Sequence, residues 1–533
     1  MKISDFLYSL KVFNWFIGQL GLSYKDFFSD VFKLTLGSVE PLRKAAQRRG
    51  DKPAVLWDGG KRTHLELFHR AEALAKFLLS EGVKPGERLA FISINTPEAP
   101  EIWLCSAMLR LRLIPVNWHL KSREIKYIMQ NSGCRNIIYH TDVKDEVKNS
   151  GEYKVMLEID GTENSSYEQA INLGMLLKKD IRVPPRARSG ILIYTSGTTG
   201  NPKGAHRNLN PLYAFLFVAS AAYEFGLTKD DVHLAVAPLY HSAPFFFAQL
   251  HISLGGTLII LPRFRVENFF DAVSRFKPTT TFVVPYMIYE IMDNLDSFGK
   301  EKLSSLKKVI SGAAYLNPET KIKFVNTFGP ILYEFYGATE TGINTILRPS
   351  DIPKKAGSVG KPMPLNRIKI LNEQGEECPS DTPGEIFVKS PFIIRGYYKD
   401  EAYTKQWMKG GYFSAGDVGK IDKDGYLYIL DRKKDMIISA GVNIYPAEIE
   451  QALMQHPAVK MCAVVGVKDE KWGERVKAFI VLRKGYEVSE KELEKFLRER
   501  IANYKVPKEW AFVDELPMTP SGKVLKRVLR EMK

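Results

Sequence analysis

Residues 194–204 read Tyr-Thr-Ser-Gly-Thr-Thr-Gly-Asn-Pro-Lys-Gly and continue a short apolar run that begins at position 191. The apolar run predicts a buried strand, and the loop after it combines three glycines, four hydroxyl side chains and Lys203. Glycine has no Cβ, so backbone N–H groups in such a loop can turn toward an anion, and the hydroxyls and the ammonium add donors. The stretch predicts a polyphosphate-binding loop. It is not a Walker A motif, because Pro202 precedes the lysine and Gly204 follows it.

Four further motifs follow this loop, and with them a flexible Gly/Thr surface turn is no longer a reasonable interpretation. In this order the five motifs resemble those of the adenylate-forming superfamily, which includes acyl-CoA synthetases, luciferases and the adenylation domains of peptide synthetases. The resemblance extends from about residue 50 to the C-terminus and is greatest to fatty acyl-CoA synthetases. The four motifs are Tyr336-Gly337-Ala338-Thr339-Glu340, Gly416-Asp417, Asp431-Arg432-Lys433-Lys434-Asp435 and Pro520-Ser521-Gly522-Lys523.

Composition narrows the class of protein. A chain of 533 residues is too long for one hydrophobic core, so at least two domains are expected. Its four cysteines lack zinc spacing, which favours a reducing, cytoplasmic location without a structural metal site. The net charge is +15, but the basic residues are dispersed and form no stripe with interleaved aromatics. We therefore expect no nucleic-acid partner, and the charge favours anionic substrates.

The N-terminal segment has an amphipathic pattern of its own. Apolar residues recur at helical spacing between Ile3 and Leu20, and an aromatic-rich patch follows at positions 27–32. Such a helix either rests on a membrane surface or packs on its own domain or a partner subunit. No apolar run reaches eighteen residues and no signal-peptide layout is present, so we expect a cytoplasmic enzyme. Peripheral membrane contact and a homodimer stay open.

The order of sequence patterns predicts the fold class. Helical and strand patterns alternate from residue 51 onward, which indicates an α/β protein with mostly parallel sheets, and short strands between Gly357 and Tyr428 indicate a small β-rich subdomain. We expect a large adenylation domain over residues 1–431, with 1–40 as an N-terminal extension. A mobile α+β lid is expected over residues 432–533, with a hinge near Lys434.

The resemblance implies a two-step reaction. A carboxylate and ATP form an acyl-adenylate with release of pyrophosphate, and CoA then takes the acyl group and releases AMP. It implies that Glu340 binds Mg²⁺, that Lys523 and Thr339 act on the α-phosphate region, and that Asp417 and Arg432 bind the ribose. The residues expected to bind ATP or AMP are Thr195, Ser196, Gly197, Thr198, Thr199, Gly200, Lys203, Ala314, Tyr336, Gly337, Thr339, Asp417, Arg432 and Lys523.

The acyl pocket and the CoA tunnel are also implied by the resemblance. His241 is expected beside the substrate carboxylate, Phe245 as an aromatic gate and Ala313 as a small residue that leaves room for a chain. The segment 240–247 carries no acidic residue, and an α-amino group would need one, so amino-acid substrates are not expected. The CoA tunnel and hinge residues are expected to be Lys434, Ser439 and Gly441.

One segment departs from the family pattern. Relatives have two or three more residues after the loop lysine, whereas here Lys203-Gly204-Ala205 continues directly into His206-Arg207-Asn208. The leading hypothesis is a CoA synthetase for medium- to long-chain fatty acids. The alternatives are an aryl or 4-coumarate-type CoA ligase, an acyl-AMP ligase that loads a carrier protein, and a non-catalytic lipid-binding protein. The intact set of motif residues argues against the last.

Overall fold

The structure is a computed structural model that describes residues 3–185, 187, 189–195, 202–207, 211–439, 442–469, 472–518 and 524–532. The helices within this part of the chain are α1 Ile3–Leu20, α2 Tyr24–Thr35, α3 Glu40–Arg49, α4 His64–Ser80, α5 Ala99–Met108, α6 Ser122–Ser132, α7 Lys144–Lys148, α8 Ser166–Leu176, α9 Pro211–Glu224, α10 Ser242–Leu254, α11 Val266–Phe276, α12 Pro285–Asp293, α13 Leu295–Phe298, α14 Pro318–Phe328, α15 Ile352–Lys355, α16 Glu401–Trp407, α17 Pro446–Leu453, α18 Glu490–Arg498 and α19 Lys526–Glu531.

The strands alternate with these helices over much of the chain. They are β1 Pro53–Trp57, β2 Gly60–Thr63, β3 Arg88–Ile92, β4 Arg112–Val116, β5 Asn136–His140, β6 Val155–Ile159, β7 Gly190–Thr195, β8 Lys203–His206, β9 Val232–Ala235, β10 Thr257–Ile260, β11 Thr280–Val283, β12 Lys308–Ser311, β13 Leu332–Ala338, β14 Gly342–Leu347, β15 Lys361–Pro362, β16 Arg367–Leu371, β17 Gly384–Lys389, β18 Gly396–Tyr397, β19 Met408–Lys409, β20 Tyr412–Ile421, β21 Leu427–Arg432, β22 Ile437–Ser439, β23 Val442–Ile444, β24 Val459–Asp469, β25 Gly473–Leu482 and β26 Glu509–Phe512.

Within the described residues these strands form four sheets. One has the order β18-β8-β7-β4-β3-β5-β6 and is parallel from β7 to β6. Another has the order β15-β14-β13-β12-β11-β9-β10-β1-β2 and is parallel from β13 to β1. A third, antiparallel sheet of β16, β17, β19, β20 and β21 is the predicted β-rich subdomain, and the fourth belongs to the C-terminal α+β domain. The predicted fold class is confirmed.

The boundaries of the predicted elements shift where local geometry ends a pattern. Apolar periodicity over residues 98–111 predicts one helix, but α5 stops at Met108 because Arg110 adopts a positive φ of 51° that an α-helix cannot contain. Apolar periodicity alone continues past this point, since Leu109 and Leu111 are both buried. The pattern therefore overestimated the length of the helix.

The N-terminal extension packs on its own domain. Val12, Phe16 and Ile17 of α1 are buried, and α1 lies against α9. The hydroxyl of Tyr8 donates to Glu224 Oε1 at 2.9 Å, which ties α1 to the end of α9. Of the three placements that the amphipathic pattern left open, packing on its own domain is the one seen, and contact with a membrane or a partner subunit stays a prediction. Over the described residues, the chain has no helix whose length and hydropathy would suit a bilayer crossing.

Candidate active site

A cavity of about 1480 Å³ runs through the large N-terminal part of the molecule. Its lining includes residues of β20 and residues 432–434 as well as residues of α2. Ordinary small-molecule pockets measure roughly 300–1,000 Å³, so this cavity has room for more than one substrate group. Among the described residues that line it, Glu340 is the one carboxylate, whereas six side chains are cationic. The cations are Arg110, Lys203, Arg207, Arg432, Lys433 and Lys434.

The predicted phosphate loop opens from a β-hairpin at the cavity wall. Thr195 at the end of β7 pairs with Lys203 at the start of β8, and both residues line the cavity. The Lys203 ammonium lies 3.1 Å from Asp400 Oδ2 and over the ring of Tyr403, so an intramolecular carboxylate now neutralises it. A phosphate at the loop would compete with Asp400 for this cation. Ser196, Gly197, Thr198, Thr199 and Gly200 lie outside the described residues.

Thr339 and Glu340 form a polar corner of the cavity directly after β13. The Oγ atoms of Thr339 and Ser242 lie 3.2 Å apart, and the Tyr397 hydroxyl donates to Glu340 Oε1 at 2.8 Å. Gly337 allows β13 to approach β14 closely here, because a Cβ at this position would lie 2.2 Å from the Gly342 carbonyl oxygen. The corner therefore presents a hydroxyl and an anchored carboxylate to the cavity.

Arg207 occupies this corner as well, and no role was predicted for it. Its Nε donates to the Phe392 carbonyl oxygen at 3.0 Å, and its Nη2 donates to the carbonyl oxygen of Thr339. The guanidinium stacks on the Phe392 ring, 4.3 Å from its centroid. Burial lowers the pKa of Arg207 to about 10, so the group stays charged at neutral pH. Among the described residues none forms a salt bridge with it.

Three residues that were predicted to bind the nucleoside, Tyr336, Asp417 and Arg432, are in direct contact with one another. The Tyr336 hydroxyl donates to Asp417 Oδ2 at 2.7 Å, and Arg432 Nε lies 3.2 Å from Asp417 Oδ1. Asp417 and Arg432 are cross-strand partners on β20 and β21, which fixes this pair. Burial, followed by the neighbouring Asp417, raises the pKa of Tyr336 well above its ordinary value. The phenol therefore remains a hydrogen-bond donor to the carboxylate.

The predicted acyl-pocket residues have different surroundings. His241 precedes α10, and its ring lies 4.4 Å from that of Tyr240. His241 is not part of the described cavity lining, whereas the next residue, Ser242, is. Phe245 lines the cavity and packs edge-on against Trp103 at a centroid distance of 4.8 Å. Ala313 also lines it and has a positive φ of 74°, whereas Ala314 is not part of the lining.

The predicted hinge lies where β21 leads into the C-terminal domain. Lys434 lines the cavity, and burial lowers the pKa of its ammonium. Ser439 ends β22 and pairs with Gly473 in the C-terminal sheet, away from the cavity lining. Gly441 and Lys523 lie outside the described residues.

Asp431 is a buried carboxylate at the same junction. Its Oδ2 accepts a hydrogen bond from the Ala447 N–H at 2.9 Å, and its Oδ1 accepts one from the Arg432 N–H at 2.6 Å. Burial raises the pKa of Asp431 to about 6. Because the folded pKa is the higher one, ionisation opposes folding, and stability from this group falls as pH rises from about 4 to about 6.

We expect Asp431→Asn to remove this pH dependence. The amide keeps an acceptor oxygen but cannot ionise, so the variant should gain up to about 3 kcal/mol over the wild type between pH 4 and pH 7. Thermal unfolding of both proteins across that range measures the gain, with exposed Asp296→Asn as the control. Wild-type and Asp431→Asn midpoints that stay equally far apart at every pH would contradict the assignment.

Comparison with known proteins identifies this arrangement. The profile described as "AMP-binding enzyme" matches residues 42–398, and that of the "AMP-binding enzyme C-terminal domain" matches residues 448–523. The chain belongs to the AMP-binding enzyme family. The resemblance inferred from the five motifs is therefore confirmed. As a family member the chain is an AMP-forming acid–thiol ligase that uses ATP and CoA.

Individual members of the AMP-binding enzyme family differ in the acid they are named for. A feruloyl-CoA synthase of Amycolatopsis sp is 33% identical over 499 residues, which cover 92% of this chain and 97% of that one. The fatty acid–[acyl-carrier-protein] ligase ScoC of Streptomyces coeruleorubidus is 31% identical over 500 residues, covering 91% and 94%. The o-succinylbenzoate CoA synthetase of Bacillus subtilis, solved with its acyl-adenylate, has a TM-score of 0.80 at 28% identity, covering 92% and 98%.

Proposed function

We propose that this AMP-forming ligase activates a medium- to long-chain fatty carboxylate and transfers the acyl group to CoA. The observation that carries the proposal is the apolar cavity that continues from the polar corner at Thr339 to α2. Its walls beyond the corner consist largely of phenylalanine side chains, including Phe217, Phe246 and Phe392. A long alkyl chain would bury its surface there, with a gain of about 0.8 kcal/mol for each CH₂ group.

The first half-reaction requires the substrate carboxylate to attack the α-phosphorus of ATP. An O–P bond forms, the bond to the β-phosphate bridging oxygen breaks, and pyrophosphate leaves. Charge grows on the α-phosphate oxygens during this step, so fixed cations and donors accelerate it. Arg207 and the Thr339 hydroxyl lie together at the corner and would supply that stabilisation, with His241 next to the carboxylate.

The nucleotide would extend from this corner in two directions. Asp417, acceptor-only when ionised, would take the ribose hydroxyls with Arg432 beside it, and Tyr336 would lie at the adenine. The β- and γ-phosphates would lie toward the loop that includes Thr195, where Lys203 would exchange Asp400 for phosphate oxygens. The excess of cations over carboxylates along the walls supports a polyanionic guest.

Mg²⁺ would be held by Glu340 together with phosphate oxygens and water. The residue fits this role because Tyr397 anchors its carboxylate at the cavity wall, and carboxylate oxygen is the kind of donor that Mg²⁺ prefers. When bound, the ion would screen the negative charge of the polyphosphate. No other residue role depends on it.

The second half-reaction would use the same pocket with a different wall. The CoA thiol loses its proton to water, its sulfur bonds to the acyl carbon, and the bond from that carbon to the AMP oxygen breaks, so that AMP leaves. We infer that rotation of residues 432–533 about Lys434 separates the two steps, removing Lys523 and bringing Ser439 and Gly441 to the thiol path. The position of Lys434 on the cavity wall supports a hinge at this place.

An aryl acid is the second candidate substrate. The relative named feruloyl-CoA synthase is 33% identical, and aromatic walls bind planar rings as well as alkyl chains. Transfer to a carrier protein instead of CoA is a third arrangement, and the relative ScoC carries that name.

Pyrophosphate release across a panel of acids tests the proposal. With ATP and Mg²⁺, each of acetate, octanoate, palmitate, benzoate and coumarate is supplied with and without CoA. We expect the highest kcat/KM for octanoate or palmitate, with CoA-dependent AMP release. Turnover confined to benzoate and coumarate would replace the fatty acid by an aryl acid, and pyrophosphate release that CoA fails to accelerate would favour a carrier protein.

A further inference from the structure

Helices α1 and α2 form an N-terminal helical pair. The pair is firmly attached to the large domain, although it precedes the matched family region, which begins at residue 42. Besides the Tyr8–Glu224 bond, Asp5 forms an ion pair with Arg367 at 2.5 Å. At the other end of the pair, Arg110 donates to the carbonyl oxygens of Thr35 at 2.9 Å and Pro185 at 2.7 Å. Both ends of the pair are thus held against the domain.

Aromatic contacts join this helical pair to the cavity walls. Phe13 of α1 and Phe27 of α2 lie 5.3 Å apart, and each lies within 6 Å of the Phe215 ring on α9. All three line the cavity. Two residues further along α9, Phe217 stacks on Phe392 at 4.1 Å, and the Arg207 guanidinium lies over the Phe392 ring. A continuous apolar wall therefore leads from the polar corner to α1 and α2.

The far end of the cavity lies at α2. Phe28 and Val31 line the cavity and are nevertheless 58% and 40% exposed, so at these residues the cavity wall meets the outer surface. Phe32, on the same helix, is 64% exposed and does not contribute to the lining. Helix α2 thus places one set of apolar side chains in the cavity and another outside it.

We propose that Phe28 and Val31 form the distal apolar wall of the acyl cavity and that contact with this wall favours long-chain acids over short ones. The inference rests on the proposed function, because only an elongated acyl group anchored at Thr339 would reach them. Short acids end before α2, so their kcat/KM does not depend on these two residues. For long acids, each methylene that loses its contact weakens binding about fourfold.

The role of this wall is tested with three variants in buffer without membranes. The substrates are the even-numbered saturated acids from butyrate to palmitate. Val31→Trp, which fills the end of the cavity, should lower kcat/KM at least about tenfold for the longest accepted acids and leave butyrate unchanged. Phe28→Ala, which removes apolar wall, should also reduce the ratio of long to short acids. Phe32→Ala is the matched control and should keep the wild-type ratio, with unfolding temperature measured for all three.

The outcomes separate this inference from the function it rests on. A wild type with a long-chain optimum whose ratio is unchanged in Val31→Trp and Phe28→Ala would overturn the inference alone. A wild type without a long-chain optimum would overturn both. A change in ratio in Phe32→Ala equal to that in Phe28→Ala would assign the effect to the exposed face of α2 and also overturn the proposal.

Discussion

Arg207→Met is expected to lower the rate of pyrophosphate release by about 100- to 1,000-fold, the usual cost of losing one donor that stabilises developing charge. The reason is the position of the guanidinium, which is half-buried, charged and bonded to the carbonyl oxygen of Thr339. Methionine retains much of the apolar stem that lies on Phe392 but removes the charge. The effect should appear in kcat, because the charge that Arg207 would stabilise grows in the transition state.

Both half-reactions should be affected in Arg207→Met. The α-phosphate is the electrophile in the first step and part of the leaving group in the second, so a cation fixed beside it serves both. Thioester formation from supplied acyl-AMP is therefore expected to slow as well. Arg207→Lys, which keeps the charge, should recover part of each rate.

A matched control and a stability measurement separate chemistry from packing. Arg182→Met replaces an exposed arginine, whose side chain is 89% exposed, and should leave both rates unchanged. Full adenylation activity in a folded Arg207→Met protein would show that the guanidinium only braces Phe392 and Thr339. The same loss in Arg207→Met and Arg207→Lys would point to hydrogen-bond geometry and not to charge.

The role proposed for Arg207 illustrates which features sequence reasoning can reach. His206-Arg207-Asn208 stood out because the segment before it is shortened, but the sequence does not reveal what the arginine faces. Its partners Thr339 and Phe392 lie 132 and 185 positions away. Contacts of this range depend on how β8 lies against the rest of the large domain, and no local periodicity encodes that.

The same distinction applies to the other predicted residues. The strand that ends at Thr195 follows from the local apolar pattern, and the proximity of Asp417 and Arg432 follows from the motif order that assigned both residues to the ribose. The ion pair of Lys203 with Asp400 joins residues 197 positions apart and was not foreseen. Motif order thus predicted that Thr195, Lys203, Thr339 and Glu340 lie at one cavity, but not which residues their side chains contact.

The N-terminal extension shows most clearly that a sequence pattern can predict an apolar helix face without predicting what packs against it. Amphipathic spacing predicts that α1 has an apolar face, and Val12 and Phe16 are indeed buried. The pattern does not reveal whether a membrane, a partner or the same domain covers that face. Nor does it reveal that α2 reaches the substrate cavity, because that depends on the placement of α9.

Lys523→Ala is expected to lower adenylate formation by at least about 100-fold and to leave thioester formation from supplied acyl-AMP within about threefold of wild type. The family resemblance places this lysine at the carboxylate and the α-phosphate in the first step only. Its surroundings in the chain support that division. Directly after it, α19 packs on β24, Lys526 bonds Glu450 at 2.8 Å, and Leu529 is buried. The segment that follows Lys523 is therefore anchored to the C-terminal domain.

Comparison of the two variants tests the proposed lid rotation. Arg207 belongs to the large domain and should matter in both half-reactions, whereas Lys523 should matter in one. Each half-reaction is measured separately, as pyrophosphate release without CoA and as thioester formation from synthetic acyl-AMP. Lys508→Ala, an exposed lysine of the same domain, is the control and should retain both rates. If Lys523→Ala loses both rates equally, one closed arrangement of the two domains serves the whole reaction, and Lys434 is not a hinge between two catalytic states.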